Sequence, residues 1–393
     1  MANIYANSTV TLAASASSGP HEGLFRVAAP ELVGWPISNF PHIRARHSLI
    51  LGTQGLPLLE RGWVFQERLL SPRVLYFANN ELIWECMELL DCECQGTEVR
   101  YHQNENLWPG SKNLCHPAKW SSAKDDHVKL TDMWLKLTKD YAQLALSKPD
   151  DIFPAISGIA KSFGEATGWN YYAGMWKQTM IYCLAWYSFG QNLPTRCVPW
   201  RAPTFSWASV QFNKKPSFGM DYPEWKDLDV SATVMEVVCC PKGDDPTGQL
   251  ESGYVILSGT VVEATIFNTQ NGFRIRTLPP EGANAAVYSF DVDCNLKQAG
   301  HEVHDGASLF FLKLFNRKSD RNRKLDGNSD GIWLILRKAN STAWEWNGTK
   351  GDGEFERIGL HRGQYDEDET NPRTLQEASS EQAIRLNAKV KII

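Results

Sequence analysis

A chain of 393 residues, 42% hydrophobic and 22% charged, has the composition of a globular protein that can bury a sizeable core. Its 40 Lys and Arg and 45 Asp and Glu residues give a net charge of −5 without a basic cluster, which argues against a nucleic-acid partner. The first residues lack the basic and apolar regions of a signal peptide, and the most apolar later stretch is too short to span a bilayer. We therefore expect a cytoplasmic protein without a membrane span; its oligomeric state does not follow from the composition.

The first part of the chain is organised around one stretch, Arg61–Cys86, which reads RGWVFQERLLSPRVLYFANNELIWEC. Before it, residues 1–18 predict the end of a helix and one strand, and residues 19–59 predict loops with short strands. Within it, a helix-prone segment is followed by two strand-like runs separated by Asn79-Asn80. The pattern predicts a helix, a turn and a β-hairpin.

Three helices are predicted in the middle of the chain. Apolar residues recur at three- and four-residue spacing over residues 125–146. A second helix begins at Asp150 or Asp151, with Pro154 in its first turn. A third, apolar on nearly all sides, is predicted over residues 171–189 and should be buried.

From Pro199 onward the sequence predicts strands, because short alternating apolar runs are separated by Gly, Asn and Asp turns. The runs cover residues 232–239, 254–267, 273–277, 285–292, 308–314, 331–337 and 355–361. Residues 317–330 predict a charged loop, and residues 374–387 predict a short terminal helix.

Several blocks of the sequence occur in an order found in a known family. They are IYANSTVTLAA at Ile4–Ala14, the RGW, QERLLSPR and WEC segments within Arg61–Cys86, DIFPAISGIAK at Asp151–Lys161, YYAGMW at Tyr171–Trp176, WRAPTFSWASV at Trp200–Val210 and ERIGL at Glu356–Leu360. Together they resemble the blocks of the fungal heterokaryon-incompatibility (HET) domain family. Members of that family usually also carry opening blocks around Tyr-x-x-Leu-Ser-Tyr-x-Trp-Gly and Leu-Cys-Ile-Asn-Gln, and neither is present in this sequence.

The resemblance and the predicted elements together give an α+β fold class with three regions. Residues 1–90 are expected to form an HET-like region that is truncated at its front. Residues 91–198 are expected to be mainly helical. Residues 199–393 are expected to be β-rich, as an antiparallel sandwich or an open barrel packed on the helices.

The candidate catalytic residues are Glu67, Arg68 and Arg201. The sequence contains no G-x-G-x-x-G, P-loop, H-E-x-x-H or G-x-S-x-G motif, so any catalysis has to use other groups. An Arg near aromatic residues can hydrogen-bond a carbonyl or carboxylate and polarise it. The structural alternative is that Arg68 pairs with Glu67 inside the fold and that Arg201 anchors the turn at Pro203 on backbone carbonyls.

Tryptophan is unusually frequent, with 15 residues in the chain. Aromatic side chains build both rigid cores and rigid apolar pockets. Trp63, Trp84 and Trp207 lie in the blocks quoted above, and they are the candidates for walls of a substrate pocket. Burial in the core is the alternative for each of them.

The nine Cys residues are odd in number and irregular in spacing, which predicts reduced thiols. Cys86, Cys92 and Cys94, followed by Cys115-His116, offer a thiolate and imidazole set for zinc. Their spacing is not a common zinc pattern, so we favour free thiols and predict neither a metal nor another cofactor.

Three functions remain open at this point, one of which is a binding or regulatory module without chemistry. The resemblance implies heterokaryon incompatibility, the programmed death of fused fungal cells, an activity linked to the family's front half. The alternative, which we favour, is a cofactor-independent cyclase of fungal secondary metabolism. A Diels–Alder type of step on a small apolar terpenoid or polyketide needs only an apolar pocket for the reactive conformer and one or two donors to a carbonyl.

Overall fold

A computed structural model of the chain describes most of its residues. The described residues are 1–27, 34–45, 55–93, 112–190, 193–212, 217–219, 228–269, 272–279, 281, 285–317, 331–340, 344–346, 349–351, 353–362 and 383–393. They form helices and strands with a large sheet in the C-terminal half, which confirms the α+β class. Most of the predicted loop at 317–330 lies outside these residues.

Within the described residues, the α-helices lie in the first half of the sequence. They are α1 (Ala2–Ala6), α2 (Gly62–Leu70), α3 (Pro117–Ser122), α4 (His127–Ala142), α5 (Ser157–Thr167) and α6 (Met180–Cys183).

The strands are concentrated in the second half. They are β1 (Thr11–Ala13), β2 (Trp35–Ile37), β3 (Phe40–Ala45), β4 (Arg73–Phe77), β5 (Leu82–Cys86), β6 (Leu90–Cys92), β7 (Tyr171–Tyr172), β8 (Met175–Trp176), β9 (Tyr187–Phe189), β10 (Thr195–Arg196), β11 (Val210–Gln211), β12 (Ser217–Gly219), β13 (Leu228–Val230), β14 (Thr233–Pro241), β15 (Leu250–Thr269), β16 (Gly272–Thr277), β17 (Val287–Tyr288), β18 (Asp291–Val292), β19 (Ser308–Arg317), β20 (Ile332–Asn340), β21 (Trp344–Trp346), β22 (Thr349–Gly351), β23 (Glu354–His361) and β24 (Ile384–Ile392).

The chain divides into two compact units, whose bounds differ from those of the three predicted regions. Unit 1 comprises Met1–Asp126 and Leu144–Gly168, and unit 2 comprises His127–Gln143 and Trp169–Ile393. Each unit thus contains a segment that is distant in sequence from its main part.

Unit 1 is built on a four-stranded sheet in the order β1-β4-β5-β6. β1 runs parallel to β4, whereas β4, β5 and β6 are antiparallel. Buried and half-buried side chains alternate along β4 and β5, as expected for strands with one face on a core. The helix, turn and hairpin predicted for Arg61–Cys86 are confirmed as α2, β4 and β5.

Unit 2 is built on one ten-stranded sheet. β15 pairs with β19 on one side and with β24 on the other, while β19, β20, β23 and β24 pair in that order. These pairings close into a ring, and a register shift between Gly259 and Val261 marks an irregularity in β15, where a strand bends. The C-terminal half is therefore β-rich as predicted, with a single parallel pair, β23 and β24, in this ring.

One predicted helix is wrong, and another is wrong at its end; residues 374–382 of the latter lie outside the described residues. Residues 171–189 form β7, β8, the short α6 and β9, because the backbone reverses at Ala173 (φ 49°) and Gly174 (φ 86°). Residues 384–387, the end of the predicted terminal helix, belong to β24. In both segments the apolar residues are buried against partners that are distant in sequence. An apolar run of this kind does not distinguish a buried helix from buried short strands.

His361 at the end of β23 makes the stability of unit 2 depend on pH. Its Nδ1 donates to the carbonyl oxygen of Ser289 at 2.7 Å, and burial lowers the pKa of its imidazole to about 4. The unfolded chain binds this proton near pH 6.5, so stability is present above that pH and is lost as the pH falls towards 4. We expect a loss of about 3 kcal/mol from this residue alone.

Urea unfolding, followed by hydrogen exchange of the β23 amides at several pH values between 7 and 4, measures this effect. His361→Gln keeps a side-chain donor and has no proton to titrate. An identical pH dependence in both proteins would contradict the assignment.

Candidate functional site

Arg68 lies in a buried ion pair in unit 1. Its Nε donates to Oε2 of Glu85 at 3.0 Å and its Nη2 to Oε1 at 3.1 Å, and both side chains are at most 4% exposed. The hydroxyl of Tyr76 donates to the same carboxylate. Burial acts to raise the pKa of Glu85, but the guanidinium and these hydrogen bonds outweigh it, so the pKa is lowered and Glu85 is ionised.

Lys112 adds a second cation to this cluster. Its Nζ donates to the carbonyl oxygens of Arg68 and Ser71, the latter at 2.6 Å, in the last turn of α2 and just beyond it. Burial lowers the pKa of Lys112 to about 8, partly offset by the attraction of Glu85. Arg68, Glu85 and Lys112 therefore form a structural cluster that holds α2 against β5.

The other predicted site residues of unit 1 are half-buried. Glu67 accepts a hydrogen bond from Tyr5, and burial together with this carboxylate raises the pKa of Tyr5 to about 12. Nε1 of Trp63 donates to the Asp151 carboxylate at 3.0 Å. Trp84 lies on β5, on the face opposite to Glu85.

Three of the sequence blocks quoted above contact one another in unit 1. Gln66 in α2 is 3% exposed, and its Oε1 accepts from the amide of Gly158 at 2.9 Å. A Cβ at Gly158 would lie 2.8 Å from that Oε1, so a larger residue there would have to displace the Gln66 side chain. Hydroxyls of Ser71 and Thr11 share a hydrogen bond of 2.7 Å, which joins α2 to β1. These residue identities have a structural reason within the unit.

Trp207 is a core residue of unit 2. It is 1% exposed and packs edge-on against Tyr141, with 6.0 Å between the ring centres. Its Nε1 donates to the carbonyl oxygen of Gly174 at 3.3 Å. A Cβ at Gly174 would lie 2.5 Å from that nitrogen. This contact joins the YYAGMW and WRAPTFSWASV blocks.

A second buried ion pair lies in unit 2. Arg357 donates to both carboxylate oxygens of Asp293, at 2.7 and 3.0 Å, and neither side chain is exposed. Its guanidinium also lies 3.7 Å from the ring centre of Trp186 and donates to the carbonyl oxygens of Leu184 and Trp186. Arg357 thus holds the segment after α6 against β23.

A pocket of about 490 Å³ lies in unit 2. Its lining comes from β10 and the residues after it, from the start of β15, from the turn before β19, from the start of β23 and from the end of the chain at β24. The lining residues are Arg196, Cys197, Trp200, Arg201, Ala202, Thr204, Ser209, Glu251, Ser252, Gly253, Tyr254, His301, Glu354, Glu356, Lys391 and Ile393. The volume is within the range of small-molecule sites in proteins.

Arg201 is fixed at this pocket by backbone acceptors. Its Nε donates to the carbonyl oxygen of Ala208 at 2.7 Å, and its Nη2 donates to that of Val210 at 2.9 Å. Trp200, the preceding residue, is 45% exposed and presents an aromatic surface. Of the six predicted site residues, Arg201 alone lines the pocket; Glu67, Arg68, Trp63 and Trp84 belong to unit 1.

Lys391, Glu354 and Glu356 at the pocket are already paired. Lys391 donates to Glu354 at 2.6 Å and lies 4.5 Å from the ring centre of Tyr254. Glu356 accepts from Arg337 at 2.8 Å.

His301 is half-buried at the same pocket. Burial and the nearby guanidinium groups of Arg196 and Arg337 lower the pKa of its imidazole, against the opposing effect of Glu356 and Glu302. The side chain is therefore neutral at pH 7, with one nitrogen as a donor and the other as an acceptor. A neutral imidazole can donate to a carbonyl oxygen without adding charge.

Sequence reasoning missed Arg196, Trp200 and His301 as pocket residues. Trp200 could have been found from the sequence, because it directly precedes Arg201 in the WRAP segment. Arg196 has no local signal of this kind.

The cysteines do not form the zinc set that was considered. Cys86 and Cys115 are thiols outside any disulfide, Cys92 is disulfide-bonded, and Cys94 lies outside the described residues. The expectation of reduced thiols is therefore wrong for Cys92. Within the described ranges, no three His, Cys, Asp or Glu side chains are grouped as a metal ion requires.

Comparisons with protein-family models, with curated proteins and with solved structures find no match. The described part of the chain has no helix with the length and apolar character needed to cross a membrane.

Proposed function

We propose that the chain is a cofactor-independent cyclase that acts on a terpenoid or polyketide by a pericyclic step of the Diels–Alder type. The observation that supports the proposal is the pocket of about 490 Å³, where a cation, an aromatic surface and a neutral imidazole meet at Arg201, Trp200 and His301. A pericyclic step needs this combination of a shaped cavity and a few placed donors.

In this mechanism the pocket holds the substrate in its reactive conformer. Trp200 contacts the apolar body of the substrate, and His301 donates a hydrogen bond to its activating carbonyl. Arg201 provides positive charge near the oxygen on which negative charge develops, and its fixed position avoids reorganisation during the reaction. Since charged side chains line the pocket, the substrate has a polar group in addition to its apolar body.

The proposal places this activity in the cytoplasm, with a small molecule as the partner and no nucleic acid. It also treats unit 1 as an HET-like region that serves as a structural support.

The test is co-expression in a fungal host that makes a terpenoid or polyketide diene. We expect a new cyclised product of unchanged mass when the chain is present. His301→Gln should lower its yield at least 10-fold, and Arg201→Met should do the same. The matched controls are His304→Gln, an exposed residue of the same turn, and Arg385→Met, a 43% exposed arginine. An unchanged metabolite profile would overturn the proposal.

A second candidate function is heterokaryon-incompatibility signalling. The observation that favours it is the contact among the HET-like blocks in unit 1. There Gln66 accepts a hydrogen bond from the amide of Gly158, and the hydroxyls of Ser71 and Thr11 share another. In the same host, arrested growth with an unchanged metabolite profile would favour this function over the cyclase.

A further inference from the structure

Arg196 carries a buried charge at the wall of the pocket. It is 6% exposed, its Nη1 donates to the hydroxyl of Ser209 at 2.5 Å, and its Nη2 donates to the backbone carbonyl oxygen of Arg357. Both acceptors are neutral, and no carboxylate of the described residues forms an ion pair with Arg196. A buried cation without a counter-charge costs free energy, and an anion is the group that removes this cost.

The carboxylates that line the same pocket do not provide that counter-charge. Glu354 binds Lys391 at 2.6 Å, and Glu356 binds Arg337 at 2.8 Å. Glu251 is exposed to solvent.

The backbone at Arg196 is fixed from two directions. The amide of Arg196 donates to Oε1 of Gln298 at 2.7 Å, and its carbonyl oxygen accepts from Nε2 of Gln298 at 3.0 Å. This double hydrogen bond also ties Arg196 to the turn that carries His301. A cation held in this way is preorganised, so an anion that binds it does not have to order the site.

We infer that the pocket binds a small molecule with one carboxylate, which forms an ion pair with Arg196. The inference rests on the proposed function, because it names the polar group of the substrate bound in that pocket. A guanidinium has five donors, and the bonds to Ser209, to the Arg357 carbonyl oxygen and to the Cys294 thiol leave donors for the planar carboxylate. Glu251 lines the same pocket without a cation partner among the described residues, and its carboxylate repels a phosphate dianion more strongly than a monoanion.

His301 lies close enough to Arg196 to be affected by its charge, so the carboxylate binds beside the imidazole, whose one N–H remains for the activating carbonyl. The apolar part of the molecule then extends towards Trp200 and Ala202.

Ligand-observed NMR titration of the full chain tests this with three probes of equal chain length: hexanoate, hexanamide and hexyl phosphate. We expect hexanoate to bind at least 10-fold more tightly than hexanamide and more tightly than hexyl phosphate. Arg196→Met should weaken hexanoate binding by roughly 10- to 100-fold, since a charge-assisted hydrogen bond is lost, and should leave hexanamide binding unchanged.

Two further variants keep the test decisive if Arg196→Met loses its fold. Glu251→Gln removes an exposed negative charge from the pocket and should strengthen hexanoate binding about twofold, with no effect on hexanamide. Trp200→Ala should weaken hexanoate and hexanamide equally. Equal affinities for hexanoate and hexanamide, no binding of either, or preference for hexyl phosphate would overturn the inference.

The two proposals fail separately. Preferential hexanoate binding with an unchanged metabolite profile would retain the carboxylate site and overturn the cyclase. A new cyclised product without a preference for hexanoate would retain the cyclase and overturn the carboxylate site.

Discussion

Replacing Glu85 with Gln is expected to lower the free energy of unfolding of unit 1 by about 3–5 kcal/mol. The substitution removes the counter-charge of Arg68 while both groups remain buried. It also leaves Lys112 as a second buried cation that no longer has Glu85 to attract it. Urea unfolding, followed by hydrogen exchange of the β4 and β5 amides, measures the change.

Two controls separate loss of charge from loss of shape. Glu88→Gln changes an exposed residue of the same hairpin region and should alter stability by less than about 0.5 kcal/mol. The double variant Arg68→Met with Glu85→Gln removes both charges and should recover part of the loss. A Glu85→Gln protein as stable as the Glu88→Gln control would show that the ion pair does not hold the unit together.

The pH dependence gives the same prediction another check. Lys112 loses its proton above a pKa of about 8, after which one of the two uncompensated cations is gone. The destabilisation caused by Glu85→Gln should therefore be smaller at pH 9.5 than at pH 7.

The local part of the fold follows from the sequence. α2, β4 and β5 are predicted because their helical and alternating patterns, and the Asn79-Asn80 turn, lie within one stretch of sequence. α4 is predicted because its apolar period is regular, and its observed bounds, His127–Ala142, lie within the predicted ones. In each of these elements, neighbours in sequence determine the structure.

Distant partners explain the parts that were predicted wrongly. The end of the chain forms β24 because β15 and β23 offer it hydrogen-bonding edges, which no local pattern reveals. Residues 171–189 are apolar on nearly all sides, and such a run fits a buried helix and a set of short buried strands equally well.

The candidate site shows the same limit. Arg68 was predicted to pair with Glu67 or to bind substrate, whereas its partner is Glu85, 17 residues away. The buried position of Arg196 depends on Ser209 and on Arg357, 161 residues away. The anchoring of Arg201 on backbone carbonyls was considered from the sequence, because the Pro203 turn brings those carbonyls near.

Arg357→Met is expected to destabilise unit 2 by about 3–5 kcal/mol. It leaves the Asp293 carboxylate buried without its cation, and it removes the donors to the carbonyl oxygens of Leu184 and Trp186. Arg357→Lys keeps the charge but cannot reproduce the two parallel bonds to Asp293, so an intermediate loss is expected. Hydrogen exchange of the β23 amides in a urea series measures the free energy of unfolding of the unsubstituted protein and of both variants.

The matched control is Arg385→Met, since Arg385 is 43% exposed and its nearest approach to Glu263 is 3.9 Å. An exposed pair of this kind contributes less than about 1 kcal/mol. The double variant Asp293→Asn with Arg357→Met should recover part of the loss, because no unpaired charge remains. If Arg357→Met is no less stable than Arg385→Met, the buried pair does not hold unit 2 together. In that case the carbonyl oxygen of Arg357 would not depend on the ion pair for its position beside Arg196, and the pocket wall would need another support.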